Sequence, residues 1–83
     1  MTEKRTFRVI ALEIKSDWKK PYFGAVPYID AMLELDTTDH KAPYYFEDAD
    51  MQVRGFLANA ATWRGDTAKK IKKELKDMIG YGH

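Results

Sequence analysis

Residues 52–75 constrain the fold of this chain more than any other stretch. Ala49, Val53, Phe56, Leu57 and Ala60 recur at the three- and four-residue spacing that lines one face of a helix. Ala68, Ile71, Leu75, Met78 and Ile79 repeat that spacing further on. Between the two sets, Trp63-Arg64-Gly65-Asp66 supplies a corner. Gly65 can take the left-handed backbone that ends a helix, and Asp66 or Thr67 can cap the next one by accepting from its unpaired N–H groups. Two apolar faces with so short a link should pack on each other as a helical hairpin.

The rest of the chain must cover that pair. In residues 6–14, Arg8, Ile10, Leu12 and Ile14 alternate with Phe7, Val9, Ala11 and Glu13, and the β-branched content favours an extended strand. Pro21 closes this region, with Tyr22 and Phe23 expected to turn inward. Residues 27–36 fit either period. Pro27 suits a first helical turn, and Ala31, Met32, Leu33 and Glu34 are good helix formers, so a helix is favoured over a strand. Residues 44–46 read as a short strand, and Glu47, Asp48 and Asp50 then fall at the positive end of the following helix. A lone strand needs a partner, either residues 44–46 or the same strand of a second copy in a homodimer through residues 7–14. The expected fold is one mostly helical α+β domain over residues 1–83. Its N-terminal β-strand precedes three helices near 27–36, 48–63 and 67–79, the last two forming the hairpin, while residues 1–5 and 80–83 fray.

With 83 residues and no Cys, the core relies on packing rather than on disulfides or thiolate metal sites. No secretory signal or run of about 18 apolar residues is present, which predicts a cytoplasmic protein. The net charge of +1 hides a division. Residues 1–20 carry six basic and three acidic side chains, net +3; residues 21–50 carry one and seven, net −6; residues 51–83 carry seven and three, net +4.

The pattern Phe56-Leu57-x-Asn59-Ala60-x-x-Trp63-Arg64-Gly65-Asp66-Thr67-Ala68-x-x-Ile71-Lys72-x-Glu74-Leu75 resembles one shared by small uncharacterised proteins of phages and prophage regions. Residues 21–32, with Pro21-Tyr22-Phe23, Ala25-Val26-Pro27-Tyr28 and Ala31-Met32, are similar to theirs as well. The resemblance implies a bacterial or phage setting and brings no catalytic or binding residues with it.

The inventory for chemistry is short. Ser16 is the single serine, in no elbow motif, and no glycine loop can cradle phosphate, so no catalytic residues and no cofactor are expected. Asp36, Asp39, Glu47, Asp48 and Asp50 lack the spacing and glycine of a calcium loop, and His40 and His83 have no ligand partners, so no metal site is expected. Asn59, an amide near a core face, should bond to backbone. Arg64-Gly65-Asp66 spells an integrin-type tripeptide that the corner itself explains. Aromatics are abundant in the connecting segments. With the acidic middle they suggest a surface for a protein partner, built from Tyr22, Phe23, Tyr28, Tyr44 and Tyr45 and anchored by Trp63 and Arg64. For Trp63 itself closure of the core end is the favoured reading, because it continues the apolar stripe of its helix. The second function is nucleic-acid binding by Arg64, Lys69, Lys70, Lys72, Lys73 and Lys76 on the last helix.

Overall fold

The computed structural model describes residues 5–80. Helix α1 spans Phe7–Asp17, and a single 3-10 turn, Phe23–Ala25, leads into α2, Val26–Leu33. Two short strands, β1 (Pro43–Tyr44) and β2 (Glu47–Asp48), form an antiparallel hairpin pairing Pro43 with Asp48 and Tyr44 with Glu47. Helices α3 (Ala49–Ala58) and α4 (Asp66–Ile79) follow. Among the described residues the chain is therefore mostly helical, with one small sheet in its middle.

The N-terminal strand is corrected to a helix. Phe7, Ile10, Ala11 and Ile14 are fully buried, which is helical spacing, while Val9 and Leu12 stay exposed on the other side. Thr6 caps α1, its hydroxyl accepting from the Val9 N–H at 3.2 Å. The Phe7 and Arg8 N–H groups donate to the carbonyls of Thr37 and Leu35, both at 3.0 Å, and Arg8 Nε donates to the Leu33 carbonyl at 2.8 Å. The positive end of α1 thus meets the negative end of α2, and each satisfies the other's terminal groups. With these backbone groups in use, residues 7–14 have no edge to offer to residues 44–46 or to a second copy's strand.

Helix α2 packs between α1 and α3, burying Ile29, Ala31 and Met32, and α4 closes against α1 and α3. The helix expected near 27–36 is present but starts one residue earlier and ends three residues earlier. In α3 the expected face of Ala49, Val53 and Phe56 is buried, and Asp48 caps the helix by accepting from the Met51 N–H at 3.0 Å. That helix ends at Ala58 rather than near 63. Asn59 Nδ2 donates to the Gly55 carbonyl at 2.8 Å, occupying the acceptor that a further turn would use. Residues 59–65 form the connection, and Trp63 enters the core from there.

All five expected core residues of α4 are buried. Its N-cap is Gly65, whose φ of 113° belongs to glycine; no side-chain cap is made, so neither Asp66 nor Thr67 plays the expected role. Arg5, expected to fray, donates to Glu74 at 2.6 and 3.0 Å and to Glu13 at 2.6 Å, tying the start of the chain to α4. Apart from Arg5 and Gly80, the segments expected to fray lie outside the described residues, as does His83.

Candidate partner-binding surface

The β1–β2 hairpin has a two-residue turn, Tyr45-Phe46. Tyr45 has a φ of 57°, the left-handed region that turns of this kind usually fill with glycine or asparagine. For a bulky side chain this conformation is costly, on the order of 1–3 kcal/mol. Tyr45 is 81% exposed and Phe46 105%, so neither ring repays that strain by burial. Tyr44 lies edge-on to Tyr45, ring centroids 4.8 Å apart, and its hydroxyl donates to Glu34 Oε2 at 3.2 Å. Burial raises the Tyr44 phenol above its ordinary pKa, and the charges of Glu34 and Asp30 add to the rise. The hairpin tip therefore stands beside the acidic end of α2. Glu47 is held at its base by Gln52 Nε2 at 2.6 Å.

A second aromatic group precedes α2. Tyr22 and Phe23 do not turn inward after Pro21 but lie exposed, as contact residues would; Phe23 is 79% exposed, and the two rings meet at 4.7 Å. The 3-10 turn and the early start of α2 aim them away from a core already filled by Phe7, Ile10 and Phe56. Val26 is exposed beside them.

Two of the expected contact residues lie elsewhere. Tyr28 is half-buried, its ring laid over Gly55 of α3. Trp63 is only 2% exposed. It stacks on Trp18 at 5.7 Å, meets Phe56 edge-on at 6.0 Å and donates through Nε1 to Asp17 Oδ2 at 2.8 Å. Closure of the core end is thus its place, while Arg64 beside it is exposed. Phe46, Val26 and the hairpin itself join the surface. Phe46 was visible in the run Tyr44-Tyr45-Phe46, but nothing in the sequence marks Val26 or the turn.

Below the hairpin, Asp50 fixes the loop to α3. Burial pushes its carboxyl pKa up, but hydrogen bonds from His40 Nδ1 at 3.0 Å and from Arg54 Nε, with Lys41 at 3.9 Å, outweigh this and hold it below the usual aspartate value. A carboxyl depressed in the folded state stabilises the fold above the unfolded value of about 3.9, and that stability is lost as pH falls through the lower folded value. Asp50→Asn should therefore melt lower than the parent at pH 7 and show a flatter decline in Tm below pH 4. Parallel acid limbs in thermal melts of the two proteins would refute this role.

The lysines of α4 divide. Lys69, Lys70, Lys73 and Lys76 are exposed, Lys73 also donating to Asp77 at 3.1 Å. Lys72 is half-buried, donates to the Trp63 carbonyl at 2.6 Å and lies 5.9 Å from the Trp63 ring centroid. Burial, then the charges of Lys76 and Arg64, lower its pKa. Lys72 and Lys76 join Arg54, Leu57 and Ala58 around an open cleft of about 270 Å³.

Among the described residues no group of three or more His, Cys, Asp or Glu side chains is placed to hold a metal ion, and no helix is long and apolar enough to cross a membrane. Neither a protein-family model, a curated protein sequence nor a solved structure matches the chain.

Proposed function

We propose that this is a non-enzymatic, cytoplasmic protein of phage or prophage type that works by binding another protein. The observation that carries the reading is the hairpin tip: two aromatic rings exposed on a turn whose backbone is strained by one of them. Folding alone favours Gly or Asn at position 45 and a polar residue at 46, whereas rigid aromatics with an apolar body and a polar edge suit a protein interface. Helices α3 and α4, acting as a hairpin closed by Trp63, serve as the platform.

The experiment separates binding from stability. Tyr45→Gly with Phe46→Ser should leave Tm little changed, because neither ring is buried and relief of the strain at position 45 offsets the unfolded-state entropy that Gly adds. The same variant should lose at least tenfold in affinity for the partner captured from a host lysate and measured by interferometry. A variant that binds as well as the parent would refute the hairpin as the contact.

The alternative is nucleic-acid binding by Lys69, Lys70, Lys73, Lys76 and Arg64, supported by the convergence of Lys72, Lys76 and Arg54 on one cleft. It requires affinity for a labelled duplex or single strand that collapses between about 50 and 200 mM salt. An aromatic protein contact is far less sensitive to that change.

A further inference from the structure

The exposed side of α2 joins the two aromatic groups into one face. Val26, Asp30 and Glu34 are exposed at four-residue intervals, so they form one stripe along the helix. Tyr22 and Phe23 stand at its start, and exposed Lys19 and Lys20 precede them in the chain. Tyr44 reaches Glu34 at its end, bringing Tyr45, Phe46 and Glu47. Eight helical residues separate the ends by about 12 Å. The chain is therefore basic and aromatic at the start of α2 and acidic and aromatic at its end, where Arg8, bonded to the Leu33 carbonyl and 3.5 Å from Asp36, offsets only part of the negative charge.

We propose that this face is a two-fold interface with a second copy of the chain. The inference rests on the reading of the hairpin as a contact surface and names its partner. A face carrying opposite charge at its two ends complements itself when a copy is laid antiparallel, since each basic end then meets an acidic end. The α2 stripes cross near Val26, so the Lys19–Lys20 end of one protomer faces Asp30 and Glu34 of its partner. The area is of the right order. Tyr22, Phe23, Tyr45 and Phe46 are 45, 79, 81 and 105% exposed, together on the order of 600 Å² of aromatic surface. A specific interface buries about 800 Å² on each partner. Such an interface uses α2 and the hairpin, not residues 7–14.

Charge reversal tests it. Sedimentation of the parent over about 1 µM to 1 mM should show a chain of 9.6 kDa doubling in mass and going no further. Lys19→Glu with Lys20→Glu should weaken the dimer about tenfold or more, as should Asp30→Lys with Glu34→Lys. All four changes in one chain should restore it, because each reversed end then meets a reversed end. Circular dichroism melts check that every variant folds, and Phe23→Ser is a second probe that alters no charge.

A parent that stays monomeric throughout, a mass that keeps growing, or a fourfold variant no better than either pair would each overturn the two-fold interface. A strict monomer that still captures a different protein through Tyr45 and Phe46 would remove the second copy and leave the hairpin reading standing. A monomer that captures nothing through the hairpin would remove both.

Discussion

Trp63→Ala is expected to destabilise the fold by about 3–5 kcal/mol, the range for deleting a large buried aromatic. A chain of this length has only ~4–12 kcal/mol in total, so the variant should lie near or beyond its unfolding threshold at 37 °C. The size of the effect follows from what one side chain holds together. Its ring completes a three-ring cluster with Trp18 and Phe56, and its indole N–H fixes Asp17 at the end of α1. Its backbone carbonyl takes the Lys72 ammonium from α4. Trp63→Phe keeps the stacking and loses the bond to Asp17, so it should cost less than the alanine variant. Urea denaturation followed by circular dichroism measures both. If Trp63→Ala melted within a few degrees of the parent, Trp63 could not be the closure of the core.

Gly55→Ala has the second largest expected effect, and its sign is the informative part. Helix propensity alone predicts a gain of about 1 kcal/mol, since Gly55 lies in the interior of α3. Packing predicts the reverse. A Cβ at this position would lie 2.2 Å from Tyr28 Cε1 and 2.5 Å from its Cζ, far inside contact distance. Because the Tyr28 ring also packs against the core, it cannot swing away without opening the α2–α3 contact. Overpacking of this kind costs about 1–3 kcal/mol, often more than the propensity gain. The expected outcome is a net loss of stability. In the background of Tyr28→Ala the same substitution should turn stabilising, so the double-mutant cycle should show strong coupling. Equal effects in both backgrounds would show that the two residues do not meet.

The sequence shows α3 and α4 plainly because Val53 to Phe56 and Ile71 to Leu75 to Met78 carry one unambiguous period. The strand assigned to residues 6–14 has a physical cause. Exposed Val9 and Leu12 give α1 apolar residues on its outer side, so alternation looks as strong as helical spacing and β-branching tips the balance. Phe7, Ile10, Ala11 and Ile14, after a capping Thr6, contain the helical answer. Trp63 was legible as core for the wrong reason, because its spacing continues α3 while its backbone does not. The hairpin was least legible. Its turn carries Tyr45-Phe46 where turn chemistry calls for Asn or Gly, and its conformation comes from the pairing of Pro43 and Tyr44 with Asp48 and Glu47. The surface inherited that uncertainty: Tyr44 and Tyr45 were identifiable as exposed candidates, but the end of α2 on which they stand was not.

The bonds from Arg5 to Glu74 and from Asp17 to Trp63 also set a timetable for the growing chain. They join residues 69 and 46 positions apart. At about 5–20 residues per second, α1 emerges from the ribosome seconds before its partners. Until α4 arrives, the Ile10–Ile14 side of α1 and the ring of Trp18 lack part of their cover. Most of the packing, α1 on α2 and α2 on α3, joins neighbours in sequence, so only the docking of α4 on α1 has to wait for a distant partner. Docking of α4 therefore closes a core that α1, α2 and α3 already share, and it covers the last of the apolar side of α1.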